Sequence, residues 1–124
     1  MTHATCISPI DGQIYAERPY TSDNDLADQL ARAKTAQRDW RQRSIAERAV
    51  LCTAMVDAML DMRCDIIPEL AWQMGRPVRF GGGELCGFEE RARHMIAIAE
   101  TSLAAIHPTP MDGFSRYNSR QPLD

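Results

Sequence analysis

The alternation of apolar and polar positions organises the chain around one stretch, residues 23–62. Leu26, Leu30, Ala33, Ala36 and Trp40 recur at steps of three and four, which predicts a helix over residues 25–40 with one apolar face. After a short link at residues 41–43, a second helix is predicted over residues 45–62. Its stripe is Ile45, Ala49, Cys52, Val56, Met59 and Leu60. Ser44 and Glu47 match a capping box, in which the hydroxyl accepts from the Glu47 amide and the carboxylate accepts from the Ser44 amide. Together they read as a helical hairpin closed around Trp40, a scaffold with no visible chemistry of its own.

The flanking pattern supplies shorter elements. Residues 6–10 and 13–17 are predicted strands around Asp11-Gly12, a hairpin signal, with Pro9 at the strand end. Residues 19–24 form a loop in which Thr21, Ser22 and Asp23 can each cap the first helix. A third helix fits residues 65–74, with Pro68 in its first turn, Gly75 at its end and Pro77 beyond. Residues 80–83 read as a glycine-rich link. A fourth helix is predicted over residues 84–106, where Leu85, Phe88, Ala92, Met95, Ala99, Leu103 and Ile106 repeat, until His107-Pro108-Thr109-Pro110 stops it. Residues 111–113 are a turn, and residues 114–121 read as a polar strand in need of a partner.

Composition narrows the function classes. The 124 residues suggest one domain, long enough to bury a core. With 44% hydrophobic and 25% charged residues and a net charge of −3, the chain lacks the basic surplus of a nucleic-acid binder and the polarity of a disordered one. No apolar run approaches the roughly 18 residues of a membrane span. The N-terminus shows no basic region followed by an apolar core, so no secretory signal is expected. Cys6, Cys52, Cys64 and Cys86 form no Cys-x-x-Cys pair and read as reduced core thiols in a cytosolic protein.

Each candidate for chemistry has a plainer counterpart. Gly81-Gly82-Gly83-Glu84-Leu85-Cys86-Gly87 invites a phosphate-loop reading, but the glycine spacing misses the dinucleotide fingerprint, no strand precedes it, and Glu84 would oppose an anion. A flexible turn is the simpler reading. His3, His94 and His107 do not stand at metal-ligand spacing; Glu90 precedes His94 by one helical turn, but two ligands make no zinc site. Cys52 lies on an apolar stripe. Cys86, placed in the first turn of the fourth helix, gains some thiolate stabilisation there, against the charge of Glu84. Glu89-Glu90 beside Arg91 and Arg93 is a solvated charged face, and Met55, Met59, Met62, Met74 and Met95 are expected to fill core gaps.

A family pattern emerges from the order of short motifs: Ser8-Pro9-x-Asp11-Gly12, Ala33-x-x-Ala36-x-x-x-Trp40, Ser44-x-x-Glu47-Arg48-x-x-Leu51, Met74-Gly75-Arg76-Pro77, Glu84, and Arg116-Tyr117 to Gln121-Pro122-Leu123. In this order and spacing the chain resembles the N-terminal region of the aldehyde dehydrogenase superfamily over essentially its whole length. The resemblance implies an α/β fold for the whole protein, with this segment mainly helical between an N-terminal hairpin and a C-terminal strand. It implies part of an enzyme that oxidises aldehydes to carboxylic acids with NAD or NADP. A cysteine thiolate attacks the aldehyde, hydride passes to the nicotinamide, and a glutamate activates water.

The same resemblance implies that the catalytic cysteine, the glutamate base and the residues holding the cofactor ribose follow a Pro-Trp-Asn segment beyond Asp124. No catalytic, cofactor-binding or metal residue is therefore carried over, and this chain alone is expected to be inactive and to bind no cofactor. Residues 1–113 would form the first part of the dinucleotide-binding domain, and residues 114–124 would begin the oligomerisation extension. Phe114, Arg116, Tyr117 and Arg120 would stand on its first strand, in a homo-oligomer. Gly83, Gly87 and Arg91 would sit at the mouth of the substrate tunnel. Aldehyde would be the partner of the complete enzyme, with no nucleic acid and no membrane. The rival expectation is a stand-alone helical module, descended from such an enzyme, that self-associates.

Overall fold

The computed structural model describes residues 3–121. In chain order they form β1 (His3–Ile7), β2 (Ile14–Pro19), α1 (Asp23–Gln42), α2 (Ile45–Asp61), α3 (Arg63–Met74) and α4 (Val78–Leu103). The expected Pro122-Leu123 match and the end of the 114–124 extension lie outside the described residues.

β1 and β2 pair antiparallel, with both strands displaced from their predicted positions. The turn is a wider loop than Asp11-Gly12 alone implies. Ser8 N–H donates to Gln13 O at 2.8 Å, Gly12 N–H to Ser8 O at 2.9 Å, and Gln13 N–H to Asp11 Oδ1 at 3.0 Å. Gly12 takes a left-handed φ of 71°. Pro9, which has no amide to donate, falls inside this loop, so β1 ends before it. Ser8 is the buried polar residue of the loop, and its hydroxyl accepts from Ile10 N–H at 3.2 Å.

Cys6 pairs with Ala16 and Ile7 with Ile14, so Tyr15 is an extra residue on β2. Such a bulge re-aims a side chain. Tyr15 stacks on Trp72 of α3, ring centroids 6.1 Å apart, and its hydroxyl donates to Glu69 at 2.6 Å. That bond raises the Tyr15 pKa and lowers that of Glu69, because it favours the phenol and the carboxylate together. The Cys6 thiol, 3.7 Å from Gln73 O, adds a further link between the hairpin and α3.

Three helix ends carry explicit caps. Ser44 and Glu47 form the full capping box, with Glu47 N–H to Ser44 Oγ at 3.1 Å and Ser44 N–H to Glu47 Oε2 at 2.8 Å. The Ser44 hydroxyl and amide hold the Glu47 carboxyl below its ordinary value. Gly75 ends α3 at φ 73°, its N–H donating to Ala71 O at 2.9 Å. Of the three candidate caps for α1, Ser22 serves, accepting from Asp25 N–H at 3.1 Å. Met62 closes α2 and opens α3, which therefore starts earlier than predicted and places Pro68 in its second turn.

α2, α3 and α4 pack against one another, with Val56, Ala71 and Leu85 as the buried apolar residues. The hairpin expected between α1 and α2 does not close. α1 has no buried residue and no extended packing on another element; Leu26 and Leu30 are 47% and 62% exposed, while Trp40 is half-buried. An amphipathic stripe specifies which face a helix can bury, and here only its Trp40 end meets apolar surface, beside Ile45, Ala49 and Met95.

The expected core methionines are likewise exposed, Met55 at 53% and Met95 at 56%. None of the four cysteines is fully buried: Cys6 and Cys52 are half-buried, Cys64 and Cys86 exposed.

Residues 114–121 do not form the predicted strand. They fold back on residues 104–110 through isolated bridges, Ile106 to Asn118 and Met111 to Phe114, around a turn with Gly113 at φ 76°. Pro108 and Pro110 remove two amide donors from the facing arm, so a continuous ladder cannot form. Arginine side chains take part of its place: Arg116 donates to Thr109 O, and Arg120 to Ala104 O at 2.7 Å.

Candidate functional site

α4 carries the candidate site and differs most from its sequence reading. The expected link at residues 80–83 is helical, because α4 begins at Val78. Three consecutive glycines cost helix stability, yet two of them face crowded surroundings. A Cβ on Gly81 would stand 2.7 Å from Ile67 Cγ2 of α3, and one on Gly82 2.7 Å from the Arg63 guanidinium. Gly81 lets α3 and α4 approach closely, whereas the end of the Arg63 side chain could swing away from a Cβ on Gly82. The glycine amides belong to the helix, so no phosphate cradle exists there. Glu84 pairs with Arg76, whose guanidinium lies 5.9 Å from the Phe80 ring centroid, with that of Arg79 at 4.7 Å. Cys86 falls well inside the helix, away from the N-terminal amides that would have stabilised its thiolate.

Two faces of α4 follow. One presents buried Gly81 and Leu85 and half-buried Phe88, Ala92, Ile96 and Ala99 to the bundle. Arg93 fixes this face in rotation, donating to Asp57 of α2 at 2.7 Å and to Glu89 at 2.8 Å. The Asp57 bond first, then the Glu89 bond, raises its pKa.

The opposite face is exposed and carries all three sequence-predicted residues, Gly83, Gly87 and Arg91, one turn apart. A Cβ at Gly83 or Gly87 would meet nothing within 4 Å. Beside them lies a depression of about 370 Å³ lined by Gly87, Glu90, Arg91 and His94. Glu90 and His94 belong to this face by the same periodicity, three and seven residues after Gly87. Among the described residues, no hydrogen bond or ion pair engages the Glu90, Arg91 or His94 side chain.

The other predicted group is not assembled into a strand. Phe114 and Tyr117 are 69% and 61% exposed, and Tyr117 tilts against His107 with ring centroids 6.0 Å apart. Arg116 and Arg120 are held by the backbone carbonyls already named.

The predicted apolar stripes of α2 and α4 meet at a groove of about 270 Å³ beside Trp40, lined by Ile45, Ala49, Cys52, Met95 and Ala99 among others. Arg48 also lines it, and its buried Nε has no acceptor. Among the described residues, no three His, Cys, Asp or Glu side chains converge to hold a metal ion. No helix is long and apolar enough to cross a membrane.

Comparison with known proteins places this geometry. The model of the aldehyde dehydrogenase family matches residues 2–123. A 3,6-anhydro-alpha-L-galactose dehydrogenase of Streptomyces coelicolor is 30% identical over 105 residues, covering 82% of this chain and 21% of the relative. An NADP(+) succinate-semialdehyde dehydrogenase of Deinococcus radiodurans is 25% identical over 79 residues, covering 64% of this chain and 17% of the relative. The chain thus spans about a fifth of the length of these relatives. The solved structure of Gox0499, a study of its cofactor and substrate selection, superposes with a TM-score of 0.89 at 21% identity, covering 99% of this chain and 27% of the other. That last likeness shows a shared fold.

Proposed function

The chain belongs to the aldehyde dehydrogenase family, and from that premise we propose that it is the N-terminal part of an NAD- or NADP-dependent enzyme that oxidises an aldehyde to a carboxylic acid. The observation that carries this reading is the family match across residues 2–123, in a chain whose matched span covers 21% and 17% of two relatives. The names of two relatives, a dehydrogenase of 3,6-anhydro-alpha-L-galactose and one of succinate semialdehyde with NADP(+), support the reaction class.

The described residues do not fit a nucleotide site by themselves. Gly81, Gly82 and Gly83 lie within a helix, and Glu84 is paired with Arg76. The nicotinamide cofactor would accept hydride once bound by residues outside this segment. The thiolate that attacks the aldehyde to form a thiohemiacetal, and the carboxylate that activates water, would also come from outside it.

This chain's contribution is structural. The bundle and hairpin form the outer layer of the dinucleotide-binding domain, and the open face of α4, with Gly83, Gly87 and Arg91, borders the path of the aldehyde. The arm from residue 114 onward begins the extension through which subunits pair. A cytosolic location accords with four free cysteines.

The test has two parts. The product of the whole reading frame should reduce NAD or NADP in the presence of an aldehyde. The 124-residue chain should do neither that nor bind either nucleotide with micromolar affinity by direct titration. A whole product inert towards every aldehyde, or tight nucleotide binding by the segment, would overturn the reading.

A second reading, a self-associating helical module, draws on a specific observation. Leu26, Leu30, Val50 and Met55 expose apolar surface on α1 and α2, and such surface favours association. Light scattering showing a 13.9 kDa monomer would remove it.

A further inference from the structure

We propose that the apolar groove beside Trp40 seats a downstream segment of the same polypeptide, one that brings apolar side chains and a carboxylate to Arg48. This deepens the dehydrogenase reading and rests on it, because only a longer product supplies such a segment. The groove lies between elements: Trp40 ends α1, Ile45 and Ala49 belong to α2, and Met95, Ile96 and Ala99 to α4. Apolar side chains that displace water from such a lining are favoured. A volume of about 270 Å³ suits a few side chains of a passing segment rather than a folded element.

Arg48 sets the chemistry of the occupant. It is the charged residue of this lining, and no acidic side chain lines the groove with it. Its Nε is buried and meets no acceptor among the described residues. Glu47, next to it in the chain, is turned to the Ser44 cap and does not answer the charge. A charge held among apolar groups is costly until it is paired, and a carboxylate matches a guanidinium in charge as well as in hydrogen bonding. Arg48 is half-buried, so a carboxylate entering the groove can reach it, and a turn of the side chain then gives Nε its acceptor.

The path of the chain favours a tethered occupant over a second copy. Leu103, the last residue of α4, lines the groove, and Arg120 donates to the next carbonyl, Ala104 O, at 2.7 Å. The chain thus leaves the described residues close to the Leu103 end of the groove. The matched span covers 21% and 17% of two relatives, so under the dehydrogenase reading most of the product lies outside it. A segment tethered beside the groove meets it at a far higher effective concentration than a separate molecule does.

Cys52 is half-buried in this lining, and its thiol reports occupancy. Alkylation of the native proteins with N-ethylmaleimide, read by peptide mass mapping, should label Cys52 about tenfold more slowly in the product of the whole reading frame than in the 124-residue chain. In the whole product, Arg48→Ala should raise the Cys52 rate about tenfold, the effect of losing a hydrogen bond to a charged group. Arg48→Lys should keep much of the protection and Arg48→Gln little, because a carboxylate requires a cation. Cys6, on the hairpin, should react alike in all four whole products.

Equal Cys52 rates in the whole product and the 124-residue chain would overturn the proposal. So would a rate that Arg48→Ala does not move, or full protection with Arg48→Gln. Protection that grows with the concentration of the 124-residue chain would give the groove to a second copy and overturn it as well. Each of these results leaves the dehydrogenase reading standing if the whole product oxidises an aldehyde. A reading frame that supplies no chain beyond these residues would overturn both.

Discussion

Replacing Gly81 and Gly83 by alanine, separately, tests how closely α3 and α4 meet. Both glycines lie inside α4, so each substitution gains the same helix propensity, about 1 kcal/mol. Their surroundings differ. At Gly83 the new methyl meets nothing within 4 Å, and Gly83→Ala should stabilise the chain by nearly the full propensity gain. At Gly81 it would stand 2.7 Å from Ile67 Cγ2, 3.2 Å from Cγ1 and 3.3 Å from Cβ. Comfortable carbon contacts begin near 3.5 Å, so Ile67 or the helix backbone must shift, and overpacking of this kind costs about 1–3 kcal/mol. The propensity terms cancel in the comparison, leaving Gly81→Ala less stable than Gly83→Ala by about 1–3 kcal/mol. At roughly 4 °C per kcal/mol for a domain of this size, the melting temperatures should differ by roughly 4–12 °C. Thermal unfolding followed by circular dichroism reads this directly. Equal midpoints would show that the α3–α4 contact is looser than the geometry states, and that the glycine run has another cause.

Trp40→Ala should cost roughly 2 kcal/mol, about half the range for a fully buried aromatic, because the ring is half-buried; an unchanged urea midpoint would show that its contacts with the α2–α4 groove carry no weight. Glu47 has a depressed carboxyl pKa, so its contribution is present above the ordinary carboxylate range and is lost as pH falls through the depressed value. The difference in melting temperature between wild type and Glu47→Gln should therefore shrink on acidification, and a gap that widens would contradict the capping box. Tyr15→Phe removes the hydroxyl bonded to Glu69 but keeps the stack on Trp72, so amide exchange in β1 and β2 should quicken modestly. Tyr15→Ala should quicken it much further, and equal exchange in the two variants would mean that the stack does not anchor the hairpin.

What the sequence determined by itself is local. The Ser44–Glu47 box, the Gly75 cap, the Gly113 turn and the apolar stripe of α2 each depend on residues within a turn or two of one another. Their chemistry is complete before the chain folds, and the structure has all four. The family was legible too, because ordered short motifs survive as a pattern along the chain. The three residues named on α4 do share a face, since helical periodicity alone puts Gly83, Gly87 and Arg91 in line.

Tertiary structure decided the rest. A run of three glycines has a low helix propensity, and nothing within it reveals that Ile67 and Arg63 lie where a Cβ would go; that contact joins two helices and turns an expected link into the first turns of α4. The polar pattern of residues 114–121 suited a strand, but a strand exists only through its partner, and the facing arm carries Pro108 and Pro110. The stripe of α1 marks a face without naming what covers it, so the closed hairpin around Trp40 does not form. The same physics hid the depression on α4: Glu90 read as part of a solvated charged face and His94 as half of a failed metal pair, until the helix rotation, set by Arg93 on Asp57 and by Leu85 in the core, put them with Arg91 around Gly87.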